Sequence, residues 1–350
     1  MTSVRFVCPD CSGDVELVST EQRIQCPRCS KVWQKREGLW HFSDEKYWGE
    51  IPEERFKDLM ADIESMGLDA AKKSFKEKDE FRYNFMFSPA RADWRFGIDI
   101  KPTDHVLDAG CGIGAHTFAL CDLVEHVTAF DLSTTRAKFV KMRAELEGKN
   151  NIDVFQADFI HAPLPKNSFD VIVFNGLLEW IGQDEMFEDP YKVQQWVAKR
   201  CYELLKPGGR WYVGIENRWA LSYFAGGRDH SGLPYTSLMP RWLSRPYCKW
   251  RKNKDYRMYT HGKPGYVKLM KDAGFEKIEA MMTYPGYNYP RILIPFDSIP
   301  ALRYAIEKLM GNAGWKRKFI KLLSKVPGVL RIYRYFFHSF AIFGIKESKV

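Results

Sequence analysis

A chain of 350 residues has room for one large hydrophobic core with satellites, so two or three folding units are expected. Its 53 lysines and arginines exceed its 44 acidic residues by nine, and its longest run without Asp, Glu, Lys or Arg is the thirteen residues 109–121. That is far below the roughly 20 apolar residues that span a bilayer, so a transmembrane helix is excluded from the expectation.

The charge is uneven. Residues 241–271 hold ten Lys or Arg against one acid, and residues 301–350 hold eleven against two, which leaves the rest of the chain acidic by nine. Local basicity of this kind attracts phosphate, either on nucleic acid or on an anionic membrane, and it also occurs as plain solvated surface. The opening MTSVRFVCPD lacks the apolar stretch of a signal peptide. A reducing cytoplasm is therefore expected, where paired cysteines bind metal more often than they oxidise.

In chain order, residues 1–42 come first, with CPDC (Cys8, Cys11) and CPRC (Cys26, Cys29) separated by fourteen residues. Each pair can place two thiolates on one ion, and VELVSTEQRIQ between them reads as a hairpin that joins the knuckles into a small zinc ribbon. Four sulfur ligands saturate tetrahedral zinc, so the metal is expected to be structural. Disulfides are the alternative. Trp33, Leu39, Trp40 and Phe42 either dock this ribbon on a larger domain or form its own core. Cys111, Cys121, Cys201 and Cys248 stand singly among apolar residues and read as packing.

Residues 43–98 are rich in charge and in helix formers, and they read as a helical linker or lid of two or three helices, with Pro52 opening a helix and Gly67 closing it. Residues 81–96, FRYNFMFSPARADWRF, add aromatics and three arginines just before the first strand of the next segment.

Residues 99–350 form the main domain. Strands are expected near 105–109, 126–131, 152–156, 169–175 and 210–215, with helices near 115–123, 133–147 and 191–205. Such alternation implies a doubly wound parallel sheet that binds its ligand at the carboxyl ends of its strands. The first strand runs into Asp108 and then into Gly110, Gly112 and Gly114, a G-x-G-x-G turn that opens a helix. Glycines there let the backbone turn sharply and let a ligand approach with no Cβ in the way. Asp131 ends the second strand, HVTAFD, about 20 residues on, where an acidic group usually accepts ribose hydroxyls.

These residues resemble the class I S-adenosylmethionine-dependent methyltransferases. The resemblance extends from the glycine turn through AFD, QADF (156–159), FDVIVFNGLLEW (169–180) and LLKPGGRWYVGIEN (204–217), in the family's order, over roughly residues 100–218. It implies a Rossmann-like, doubly wound, mostly parallel seven-stranded α/β sheet with an antiparallel last strand. It implies S-adenosylmethionine as cofactor: Asp108 and the glycines at the methionine end, Asp131 at the ribose, Asp158 and Phe159 at the adenine, and Asn175 completing the set. It also makes Tyr83 and Arg91 candidate acceptor contacts, although helix packing accounts equally for the aromatics around them.

After Ile215 the alternation stops. Residues 215–242, IENRWALSYFAGGRDHSGLPYTSLMPRW, form a long loop where the fifth strand delivers residues to the acceptor, and long loops at such places are usually functional. His230 is the candidate catalytic base, oriented by Asp229 or Glu216, with His261 and His116 as weaker options. The loop resembles one found in methyltransferases of bacterial surface-polysaccharide or glycolipid synthesis. Acceptor-side insertions are expected at 216–262 and 284–338. Within the second, Trp315, Phe319, Leu322, Leu323 and Val326 fall at helical spacing among lysines and arginines, a basic amphipathic pattern that either rests on anionic lipid or covers the sheet.

The reading is therefore an S-adenosylmethionine-dependent methyltransferase carrying a structural zinc, acting on a small-molecule, sugar or glycolipid acceptor, cytoplasmic and peripheral to the inner face of the membrane through residues 301–337. An RNA base methyltransferase, which would make nucleic acid the partner, is the main alternative. A non-catalytic protein that docks through its ribbon is the other.

Overall fold

In a computed structural model of the chain, residues 5–18, 22–47, 52–183, 189–311 and 315–348 are described. They divide into two compact units, Met1–Val173 with Glu203–Gly209, and Phe174–Tyr202 with Arg210–Val350.

In the first unit, β1 (Glu16–Val18), β2 (Arg23–Gln25), β3 (Val32–Arg36) and β4 (Leu39–His41) pair in an antiparallel meander. The hairpin expected between the cysteine pairs is β1–β2, in the register Leu17↔Ile24. Helices α1 (Glu53–Met66), α2 (Leu68–Lys78) and α3 (Glu80–Phe87) follow. Pro52 precedes α1 and Gly67 closes it. The Asp79 side chain accepts the Arg82 N–H, the N-cap bond that starts α3.

Strands β5 (His105–Ala109), β6 (His126–Asp131), β7 (Ile152–Gln156) and β8 (Phe169–Asn175) then alternate with α4 (Ala115–Leu120) and α5 (Thr134–Leu146). β6 pairs in parallel with β5 and β7, and β5 with β8. Every residue of β6 is buried, as a parallel strand covered on both faces requires. β4 extends this sheet through the parallel pair His41↔Gln156, giving the order β1-β2-β3-β4-β7-β6-β5-β8. Phe42 packs edge-on against Phe155 at 5.5 Å and against Phe6 at 5.0 Å, while Trp33 lies 5.9 Å from Phe42. These aromatics dock the ribbon on β7.

The second unit contains α6 (Pro190–Leu204), β9 (Leu205–Glu216), α7 (Leu221–Phe224), α8 (Arg241–Lys252), α9 (Lys263–Asp272), β10 (Lys277–Gly286), β11 (Tyr289–Pro295), α10 (Ile299–Tyr304), α11 (Trp315–Leu323), α12 (Val329–Tyr333) and β12 (Ser339–Ile345), with the ends of β9 and α6 shared with the first unit. β12 lies antiparallel to both β9 and β10, and β11 closes the order β9-β12-β10-β11.

Two expectations need correction. Among the described residues the sheet has twelve strands rather than seven, and six antiparallel strand pairs stand beside the parallel ones along β4-β7-β6-β5-β8. The surplus comprises the four ribbon strands, which join the sheet edge, and β11, which folds back on β10 as a hairpin. Hairpins pair antiparallel by construction, so the β1–β4 meander and the β10–β11 hairpin add antiparallel pairs, although β4 itself meets β7 in parallel. β11 lies within the expected acceptor-side insertion 284–338, and its Pro290 and Pro295 are tolerated because it is an edge strand whose outer N–H side needs no partner. The last strand, β12, is antiparallel as expected.

Candidate functional site

The glycine turn is built at the carboxyl ends of β5 and β6. Gly112 has φ +56° and faces open space where a Cβ would stand, so a ligand can reach its backbone. Gly114, at φ +83°, instead serves packing, since a Cβ there would meet Phe118 at 2.9 Å and Val140 at 3.2 Å. Asp131 braces the turn: its Oδ2 accepts the Gly112 N–H and its Oδ1 the Ser133 N–H, each at 2.9 Å. Burial pushes the Asp131 carboxyl above its ordinary range, and the Arg136 charge and these amides pull it back. Asp108, also buried, accepts the Thr117 hydroxyl at 2.6 Å, and burial lifts its pKa to about 6 against the pull of Thr117 and the Arg91 charge.

The third strand end completes the set. Asp158 accepts both the backbone N–H of His161 at 2.7 Å and a bond with its ring Nδ1 at 2.7 Å. Its own N–H donates to Ser43 Oγ at 2.9 Å, a tie between the ribbon's exit and this loop that sequence spacing does not reveal. Phe159 is buried 6.3 Å from the Phe130 ring. Asp108, Gly110, Gly112, Gly114, Asp131, Asp158 and Phe159 thus share one end of β5, β6 and β7. Asn175 belongs to the second unit, where Tyr212 donates to its Oδ1 at 3.0 Å. Arg91 donates to the Phe85 carbonyl at 2.9 Å and Tyr83 packs on Phe87, so both engage their own helical segment.

The four ribbon cysteines converge, with all four sulfurs within 4.8 Å of one another and Cys8–Cys29 and Cys11–Cys26 at 3.5 and 3.4 Å. The two knuckles are folded alike: Ser12 N–H donates to Cys8 O and Ser30 N–H to Cys26 O, each at 2.8 Å, and both serines have positive φ. Among the described residues this is the one group of three or more such ligands that converges on a point.

In the second unit, β8 ends toward Glu179, β9 ends at Glu216, and the loop after α7 returns His230 to both. His230 Nε2 lies 3.6 Å from Glu216 Oε1 and 4.0 Å from Glu179 Oε1, with the Trp180 ring 4.8 Å from the imidazole. Tyr223 donates its hydroxyl to Glu216 Oε2 at 2.7 Å, and burial, with the Glu216 charge adding to it, raises the phenol's pKa. Glu179 is fully buried, neither of its carboxylate oxygens has a hydrogen-bond partner, and burial lifts its pKa to about 8, with the Glu216 charge adding to the rise.

Of the two carboxylates expected to orient His230, Glu216 is in place. Asp229 is committed elsewhere, accepting from Ser231 N–H, Ser237 Oγ and Tyr256 Oη at 2.8–2.9 Å and so holding the loop's shape. Asn217 and Arg218 are staples as well: Asn217 Nδ2 donates to Tyr335 and Phe337 carbonyls, and Arg218 to those of Ser237 and Met239. His261 is buried with its Nε2 3.1 Å from Gln194 Oε1, and burial lowers its pKa to about 3. His116 is buried too and accepts the Trp94 indole N–H at 3.1 Å. The sequence signal for Glu179 is a single acid inside the apolar run NGLLEWIG, which does not reveal its isolation.

Comparison with known proteins finds methyltransferases. Residues 107–213 match the model of the methyltransferase domain family. Among curated relatives, phosphoethanolamine N-methyltransferase 3 of Arabidopsis thaliana is 28% identical over 52% of this chain and 31% of its own length. A ubiquinone biosynthesis O-methyltransferase of Xanthomonas campestris is 31% identical over 37% of this chain and 51% of its own. The chain thus spans about a third to a half of the curated relatives it matches. Among solved structures, phosphoethanolamine N-methyltransferase 2 of Haemonchus contortus, in complex with phosphomonomethylethanolamine and S-adenosylhomocysteine, aligns with a TM-score of 0.46 and 18% identity over 84% of this chain and 60% of that one.

Proposed function

We propose that this chain transfers a methyl group from S-adenosylmethionine to a small-molecule, sugar or glycolipid acceptor, with surface-polysaccharide synthesis as its setting. The observation that carries the reading is the buried Asp131 carboxylate bracing a glycine turn that is open over Gly112. These residues fit the cofactor: a backbone free of Cβ for the methionine end, a carboxylate for the ribose diol, and Asp158 beside the buried Phe159 for adenine. The cofactor supplies a methyl group already activated on a sulfonium, so the protein needs mainly to bind, to align and to exclude water. Asp131 and Asp108 hold their ligand in a buried, weakly screened setting, and His230 receives a proton from the acceptor. Incubating the protein with methyl-labelled cofactor and fractionated cell extract tests the reading. Label in small molecules or lipid-linked glycan supports it, label in RNA supports the base-methylating alternative, and label in no fraction sinks it.

The cysteine cluster fits zinc. A Zn–S bond of about 2.3 Å puts the sulfurs of a tetrahedral site about 3.8 Å apart, close to the spread here. The ion would be structural, because four thiolates leave no open position. We also propose that the basic stretches rest on an anionic membrane surface. The support is exposed apolar bulk beside positive charge: Trp242 and Trp250 on α8, a helix without a single acid, and Leu322, Val326 and Ile332 in 301–337. The side chains of Trp315, Lys316, Arg317 and Phe319, which carry part of the expected pattern, lie outside the described residues. Among those described, no helix is long and apolar enough to cross a membrane.

A further inference from the structure

The cluster around Glu179 is short of positive charge. Glu179 is fully buried with both oxygens unpartnered, and Glu216 lies across the same imidazole. Among the described residues neither carboxylate forms an ion pair with lysine or arginine; His230 is the one basic group within reach. Burying an unpaired carboxylate costs several kcal/mol in roughly the way an isolated ion does, and chains meet that cost with a partner or with a proton. Among the described residues no lysine or arginine supplies the partner, so Glu179 meets the cost with a proton, which an arriving cation would displace. The surroundings also suit a cation: the Trp180 ring supplies a π face beside His230, and tryptophan is the best of the aromatic faces for that contact. The outer edge of the cluster is reachable, since the side chains of His230 and Glu216 keep 13% and 18% of their surface, while Glu179 lies fully buried behind them.

We propose that Glu179, Glu216 and Trp180 receive a positively charged nitrogen, so that the acceptor is an amine and the methyl group goes to nitrogen. This rests on the methyl-transfer reading above and narrows its substrate class. Before it can accept a methyl group, an ammonium must give up a proton: one N–H bond breaks, its electron pair stays on nitrogen, and the proton passes to His230 Nε2. The two carboxylates on that atom stabilise the imidazolium so formed. A carboxylate-bearing or phosphate-bearing end of the acceptor is excluded from this cluster by the same charges and must lie elsewhere.

The experiment compares two probes that differ only in charge, choline and its neutral carbon isostere 3,3-dimethylbutan-1-ol, by calorimetric titration of the full chain, with S-adenosylmethionine titrated in parallel. Choline is expected to bind at least tenfold more tightly than the alcohol. In Glu179→Gln and Glu216→Gln that preference should fall to within about twofold, with cofactor affinity unchanged. Equal affinity for the two probes in the wild-type chain overturns the proposal, as does a preference that survives both substitutions or a chain that takes the cofactor and neither probe. Should the variants fail to fold, the wild-type comparison still decides. Failure to bind S-adenosylmethionine counts against the methyltransferase reading, which separates the two failures.

Discussion

Asp131 Oδ2 accepts the backbone N–H of Gly112 at 2.9 Å, so the last residue of one strand sets the turn that follows its neighbour. Two jobs fall on that carboxylate under the proposed function, shaping the turn and meeting the ribose. Asp131→Ala should therefore weaken S-adenosylmethionine binding by about 1.5–3 kcal/mol, the worth of a charge-assisted bond, and Asp131→Asn by less, since the amide oxygen still accepts from Gly112. Calorimetry giving equal affinity in wild type and the alanine variant would remove Asp131 from the site.

Zinc should be present at one ion per chain. Cys26→Ser or chelation is expected to release it, as elemental analysis of the dialysed protein would register. Because Ser43 Oγ accepts the Asp158 N–H and Phe42 packs on Phe155, melting the ribbon should also loosen the adenine side, lowering cofactor affinity by about 1 kcal/mol per lost hydrogen bond. A chelated protein that binds the cofactor as tightly as before would show the ribbon to be an independent appendage.

The raised pKa of Glu179 has a stability consequence with a definite sign. Its folded value of about 8 stands above the ordinary 4.5, so between those values the folded state holds a proton that the unfolded chain has released. Stability from this group is therefore full below about pH 4.5 and is lost as pH rises toward 8, by at most about 1.4 kcal/mol per pH unit. Glu179→Gln should lack this slope. Urea midpoints of the two proteins compared at pH 5, 7 and 9 test it, and parallel curves would count against a buried, isolated Glu179. Asp108 adds a smaller effect of the same sign between about 4 and 6.

Membrane association should depend on α8. The chain is expected to sediment with anionic vesicles and to ignore neutral ones, because each Lys or Arg near the surface contributes about 1 kcal/mol. Trp242→Ala with Trp250→Ala should cut the bound fraction severalfold while leaving cofactor affinity untouched, since both indoles are about 75% exposed. Salt-sensitive binding to RNA without vesicle binding would instead favour the nucleic-acid alternative, whose hallmark is counterion release.

What could be read without coordinates is whatever depends on neighbours in the chain. The parallel strands β5 through β8 have the bounds that the apolar runs predicted, because a strand buried on both faces announces itself as a continuous apolar stretch. The glycine turn and the cysteine knuckles are legible for the same local reason: positive φ and ligand spacing are written within a few residues. Pairing across long separations was decided only by folding. His41 meets Gln156, Asp158 meets Ser43, and the hairpin β10–β11 lengthens the sheet past its expected edge. The difference between Asp229 and Glu216 as partners of His230 belongs here too, since both are acids of one loop and only the placement of Ser237 and Tyr256 takes Asp229 away. The isolation of Glu179 is the extreme case. A carboxylate's charge state is set by what surrounds it in three dimensions, and a sequence names the acid without naming the partners it lacks.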